Sequence, residues 1–242
     1  MEHAEFVDHI LVQAAAMRGA AVEAGPDAEV PSCPGWTVLD LVRHIARVHA
    51  RVGEILVAED ITVRPDFPRA PQRWDELLEW WDTALSTMVR RFTDLDPLAP
   101  TWMFPGAAER TVRAWARRMA HETAIHRLDA ELALGVESRL TFAPEFAADG
   151  IDERLGLRAI GDSSAVTTGG TILFHAADAG RAWTMTVRPG QNPEVTSAPD
   201  AAMHTDAVVA GTADAVYRAV WGRPSTAVTT GSHELVESLP RL

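Results

Sequence analysis

The sequence predicts an α+β protein of two domains, a four-helix bundle followed by a small mixed α/β domain. Three observations carry this. The chain has 242 residues, long for one domain and suited to two of moderate size. Its first part holds four segments with apolar residues at helical spacing. Near Gly135 the composition changes, and short strand-like runs with turns replace the long helical patterns. The expected domains are residues 1–137 and 138–242.

The first helix is expected from about Ala4 to Glu23, with Phe6, Ile10, Met17 and interleaved alanines inward, and Gly25-Pro26-Asp27 stops it. Val30 to Thr37 is a tight proline-bounded entry. Thr37 suits an N-cap, and Asp40 three residues on completes a capping-box-like start. The second helix then runs from Val38 to about Ala58, on a stripe of Val38, Leu41, Ile45, Val48, Val52, Ile55 and Leu56. His44 lies on one border of that stripe and His49 on the other, so either can turn inward. By one turn's logic His44 is the better placed for a neighbouring helix.

A Pro- and Arg-rich loop leads to a third helix, about Trp74 to Phe92, whose Trp74, Leu77, Leu78, Trp81, Leu85, Met88, Val89 and Phe92 read as core. The connection from Asp94 to Gly106 is long. Trp102, Met103 and Phe104 either wall a pocket there or pack on the bundle. The fourth helix is expected from about Thr111 to Leu134. At about 100° per residue, Trp115, Met119, Glu122, His126 and Ala133 share one side. A carboxylate and an imidazole therefore sit in the stripe that faces the core.

Burying an unpaired carboxylate costs several kcal/mol, about 1.4 kcal/mol for each unit by which its pKa is forced up. Glu122 and His126 are one turn apart and can reach one ion from successive turns. Alternatively, Glu122 pairs with a nearby arginine such as Arg118, beside a satisfied core histidine. The run is not the zincin HExxH, because the second histidine comes one residue too late, and His121 falls off the stripe.

In the second domain a helix is expected over Phe142 to Ile160, starting after Pro144. Strand-like runs follow at residues 171–176 and 181–188, joined by the turn Asp178-Ala179-Gly180. Further strands are expected at 202–209 and 226–229, with helices over Thr212 to Trp221 and Ser232 to Leu239. No GxGxxG, P-loop or GxSxG motif is present.

Formal net charge is −12, and all 22 basic residues are arginine, scattered without a run. Nucleic acid and anionic membrane are therefore not expected partners. No apolar run reaches the length of a membrane span, and the N-terminal residues do not resemble a signal peptide. The single cysteine, Cys33, excludes an internal disulfide. These features predict a cytoplasmic protein.

The segment Ser32-Cys33-Pro34-Gly35-Trp36-Thr37-Val38-Leu39-Asp40-Leu41-Val42-Arg43-His44-Ile45 resembles the CPGWTVxDLxxHL opening of the mycothiol-dependent maleylpyruvate isomerase family. Glu122-Thr123-Ala124-Ile125-His126-Arg127-Leu128-Asp129 resembles that family's ExxxHxxD segment. The resemblance covers nearly the whole chain and implies a DinB-like bundle followed by a sterol-carrier-like domain. It implies one zinc, or another divalent metal, held by His44, Glu122 and His126, and so prefers His44 to His49. It implies mycothiol as thiol cosubstrate and a small electrophilic substrate, with either cis-trans isomerisation or S-transfer as the reaction. Trp221-Gly222-Arg223 resembles a WGR stretch of the family, which makes Arg223 a candidate contact to substrate or thiol. The alternative is a non-catalytic metal-containing module that binds a small ligand or serves a stress response.

Overall fold

The structure, a computed structural model, describes residues 1–135, 140–160, 168–197 and 205–239. It divides into two compact units, Met1–Leu140 and Thr141–Leu242. The expected boundary after residue 137 lies outside the described residues.

The first unit consists of α1 (His3–Ala24), α2 (Val38–Leu56), α3 (Trp74–Asp94) and α4 (Val112–Leu132). Local chemistry marks several of their ends. Gly25 ends α1 with φ 82°, a conformation that costs a residue with a Cβ, and its N–H bonds back to the Ala21 carbonyl. The capping box of α2 forms as expected: Thr37 Oγ1 accepts from the Asp40 N–H at 3.4 Å, and Asp40 accepts from the Thr37 N–H at 3.1 Å. Thr111 caps α4 through the Ala114 N–H. The core between the helices contains Met17, Ala21, Leu41, Ile45, Leu77 and Trp81.

The helix α4 departs from a one-sided pattern. It is buried around most of its circumference, including His121. The expectation that His121 lies off the buried stripe is thus corrected. The reason is that α4 packs against α1 as well as against α2, and the His121 ring meets Phe6 of α1 edge-on at 6.3 Å. Alanines at 116, 120 and 124 allow these close approaches.

The long connection before α4 packs on the bundle. A bridge between Pro100 and Thr111 closes it, and Trp115 Nε1 donates to the Trp102 carbonyl at 2.7 Å. Trp102 and Phe104 cluster on Trp115 with ring centroids at 6.2 and 5.4 Å.

The second unit consists of α5 (Pro144–Ala159), β1 (Gly170–Ala176), β2 (Arg181–Val187), β3 (Glu194–Ser197), β4 (Ala207–Gly211), α6 (Ala213–Val220), β5 (Val228–Gly231) and α7 (His233–Glu237). The strand order is β3-β2-β1-β4-β5, antiparallel except for the parallel β1–β4 pair. Strand β3 was not expected, since a run as short as Glu194-Val195-Thr196-Ser197 carries almost no alternation to read. Inward residues alternate along the central strands, with Ile172, Phe174, Trp183, Met185 and Val209 buried. Phe142, Phe146 and Tyr217 stack edge to edge where α5 meets α6. The α+β class follows from these two units. Among the described residues, no helix is long and apolar enough to cross a membrane.

Candidate metal centre

Three side chains from two helices converge inside the first unit. Position 44 lies two turns into α2, and positions 122 and 126 occupy successive turns of α4. His44 Nε2 lies 3.2 Å from Glu122 Oε1, and His126 Nε2 lies 3.4 Å from the same oxygen. All three donor atoms fall within 4.8 Å of one another. The rings of His44 and His126 meet edge-on at 4.9 Å. A tetrahedral ion with bonds of about 2.1 Å to nitrogen and oxygen separates its donors by about 3.4 Å. The spacing here therefore fits a divalent ion, and two imidazoles with one carboxylate suit zinc. His44 is the accessible member, with its side chain 35% exposed, while Glu122 and His126 are buried.

The two oxygens of Glu122 are divided between functions. Oε1 faces the histidines, and Oε2 pairs with Arg118 one turn earlier on α4. The ion-pair reading and the metal-site reading of Glu122 are thus compatible, since each uses a different oxygen. Burial favours the neutral acid, but the Arg118 charge and hydrogen bonds from His126 and His44 hold Glu122 well below the usual carboxylate range. It is an anion at neutral pH and needs no proton removed before it could bind a cation.

His126 is oriented from behind. Its Nδ1–H donates to Asp129 Oδ2 at 2.8 Å, which turns Nε2 toward Glu122. Asp129 is fully buried, and it also accepts from Ser32 Oγ at 2.6 Å and from Cys33 Sγ at 3.5 Å. Burial alone would lower the His126 pKa, but bonding to Asp129 and Glu122 raises it to about 9. A cation entering the site would displace that proton. A carboxylate behind a ligating imidazole fixes its tautomer and raises its basicity. Sequence reasoning gave Asp129 no role, although the three-residue step from His126 to Asp129 places the two on one helix face. Ser32, Cys33 and Trp36 show what the loop before α2 does. Ser32 and Cys33 anchor Asp129, and the Trp36 ring lies 5.2 Å from His44 and 6.5 Å from His126.

The other border histidine of α2 has a different fate. His49 is fully buried between α3 and α4. Trp81 Nε1 donates to its Nδ1 at 3.1 Å, so the ring proton sits on Nε2, which donates to Thr123 Oγ1 at 3.0 Å. Burial lowers its pKa to about 3. The unfolded chain, near 6.5, therefore binds this proton more readily than the folded one. Stability from neutral His49 is present above pH 6.5 and is lost as pH falls toward 3, with a slope of up to about 1.4 kcal/mol per pH unit. His49→Gln is expected to flatten that acid limb in urea unfolding measured between pH 4 and pH 7. An unchanged slope would assign acid sensitivity to other groups.

Arg223 belongs to the second unit, just after α6, where its Nη1 donates to the Trp221 carbonyl at 2.7 Å.

Fold and centre together define a two-domain α+β protein with a buried histidine–carboxylate site inside its helical bundle. The sequence profile described as the mycothiol maleylpyruvate isomerase N-terminal domain matches residues 7–131, just over half of the chain. The chain belongs to the mycothiol maleylpyruvate isomerase family, an enzyme family. The crystal structure of the mycothiol-dependent maleylpyruvate isomerase is similar, with TM-score 0.65 at 13% identity over 95% of this chain and 93% of that one. The crystal structure of a histidine-to-alanine mutant of that isomerase gives 0.67 at 12% identity with the same coverage. At such identities the likeness is one of fold, and it extends through both units. No curated protein matches by sequence.

Proposed function

We propose that this protein is a metal- and thiol-dependent enzyme, in which His44, Glu122 and His126 hold one divalent ion, most naturally zinc. The observation that carries the reading is the donor triad itself: three N/O ligands at metal spacing, with one face toward the accessible His44. Three protein ligands leave a position for an exogenous group, as catalytic zinc sites do. Zinc bound there would lower the pKa of a coordinated thiol and supply a thiolate at neutral pH. Glu122 contributes a negative charge kept ionised by Arg118, and Asp129 holds His126 in the orientation that offers Nε2.

The family points to mycothiol as the thiol and to a small electrophile as substrate. For a maleylpyruvate-like substrate, the thiolate would add to the cis double bond to give an enolate, the resulting single bond would rotate, and the enolate pair would re-form the double bond as the same thiolate is expelled, giving the trans isomer. For a substrate with a leaving group, that group would depart with its bonding pair as the C–S bond forms; at a simple acceptor carbon the adduct would take up a proton from solvent; in both cases the sulfur stays attached and the reaction is a transfer. Arg223 is proposed as a contact to the anionic substrate or the thiol. A cytoplasmic setting accords with the single cysteine, since the thiol must stay reduced.

The test is turnover of maleylpyruvate and of a panel of thiol-reactive electrophiles, with and without mycothiol, on zinc-loaded protein. Thiol-dependent turnover that disappears in His126→Ala supports the enzyme reading. Full metal occupancy with no thiol-dependent turnover of any electrophile would favour the binding-module alternative.

A further inference from the structure

A second cluster of cations lies two turns further along α2. Arg51 follows His44 by two helical turns, on the same face and about 10 Å along the axis. It is 7% exposed, yet among the described residues its Nε and Nη2 are buried with no hydrogen-bond partner. Its guanidinium lies over the Phe67 ring at 4.1 Å and faces Trp102 at 5.7 Å. Arg47 shares Phe67 at 5.0 Å and ties down the covering loop through the Pro68 carbonyl at 3.1 Å. Arg64 lies over the other aromatic, Trp102, at 5.9 Å.

Three guanidiniums on two aromatic rings are unusual in a chain of net charge −12. Burial and the neighbouring Arg64 both pull the Arg51 pKa below its ordinary value, while Asp66 pulls it up; among the described residues Arg51 forms no ion pair with Asp66. A buried cation with unmet donors costs stability unless an anion or water completes it. The cluster lies one level, or two turns, along the same helices from the metal centre. Trp102 stacks on Trp115, which precedes Glu122 on α4 by two turns, as Arg51 follows His44 on α2. Arg118 lies between these two levels of α4.

We infer that Arg51, flanked by Arg47 and Arg64 and floored by Phe67 and Trp102, is a carboxylate-binding subsite that receives the acid group of a small organic-acid substrate extending from the metal centre. The forked N–H edge of a guanidinium matches a carboxylate in two parallel hydrogen bonds. That the anion belongs to the substrate rests on the proposed reading of the metal centre; the anion subsite stands on Arg51 alone.

The test is calorimetric titration of the full chain with succinate, its uncharged analogue succinamide and inorganic phosphate. Wild type is expected to bind succinate and not succinamide. Arg51→Met should weaken succinate by about tenfold or more, the usual worth of hydrogen bonds to a charged group. Arg64→Gln, an exposed change that leaves Arg51 and its packing in place, should weaken it several-fold, and Arg90→Gln on the outer face of α3 should have no effect. The Arg51→Met protein should melt no lower than wild type by more than a few degrees, because it loses an unpartnered charge and retains an apolar stem.

Succinate affinity unchanged in both Arg51→Met and Arg64→Gln would overturn the subsite. Phosphate bound as tightly, with the same Arg51 dependence, would overturn the carboxylate assignment in favour of an inorganic oxyanion site. The same titration on His126→Ala separates the two proposals. Arg51-dependent binding that survives there supports the subsite even if metal binding fails. Binding lost there but kept in Arg51→Met would place the anion on the metal instead.

Discussion

Purified from zinc-containing medium, the protein is expected to carry about one divalent ion per chain, and His44→Ala, Glu122→Gln and His126→Ala are each expected to lose it. Structural zinc sites release about 10–16 kcal/mol over four ligands, so one ligand is worth roughly 3 kcal/mol, or more than about a hundredfold in affinity. The three residues differ in what else they do. His44 is partly exposed, and its removal should leave the fold intact. Glu122→Gln removes the carboxylate that pairs with the half-buried Arg118, so it should cost stability as well as metal. His121→Ala separates local chemistry from general damage: it removes a buried ring against Phe6, and should lower the melting temperature while leaving metal content unchanged. Elemental analysis of the four variants beside wild type decides. Retention of full metal in His44→Ala and His126→Ala would remove the proposed ligand set.

Asp129→Ala is expected to be the most damaging change outside the three proposed ligands. The carboxylate is fully buried and accepts from His126, Ser32 and Cys33 among others. Removing it takes the acceptor from a buried imidazole and from the half-buried Ser32 hydroxyl, and frees the loop before α2. Breaking a buried charged network of this kind costs about 3–5 kcal/mol, which corresponds to about 6–20 °C in melting temperature for a chain of this size. Loss of the group behind a ligating histidine also costs about 10–100-fold in metal affinity. The milder Asp129→Asn keeps the shape but offers His126 a weaker acceptor. It should fold and show the metal defect with a smaller loss of stability. Thermal melts of metal-free protein, set against zinc affinity by chelator competition, read the two effects separately. Normal zinc affinity in Asp129→Asn would reduce Asp129 to a purely structural role.

The different outcomes for the histidines show what a linear pattern carries. Helical spacing alone put Glu122 and His126 on one face, and an i, i+4 pair on a straight helix reaches one point whatever surrounds it. Spacing also placed the capping box at Thr37 and Asp40, and it set the inward faces of α1, α2 and α3. These features are local, fixed by 3.6 residues per turn and by hydrogen bonds within a few residues.

Helical spacing left His44 and His49 both possible, the family resemblance favoured His44, and the tertiary structure shows the physical reason. Both border one stripe, and their environments depend on which neighbour each meets. His44 meets Glu122 of α4 at an accessible edge, whereas His49 meets Trp81 and Thr123 in a closed core. The same holds for Asp129, whose partners Ser32 and Cys33 lie nearly a hundred residues away in the chain. It holds for His121, buried because α4 is covered on two sides, and for Arg51, whose missing partner is visible only once the loops close over α2. Periodicity determines which side of a helix is apolar. The charge, exposure and orientation of a polar side chain on that border are decided by atoms that the rest of the chain brings to it.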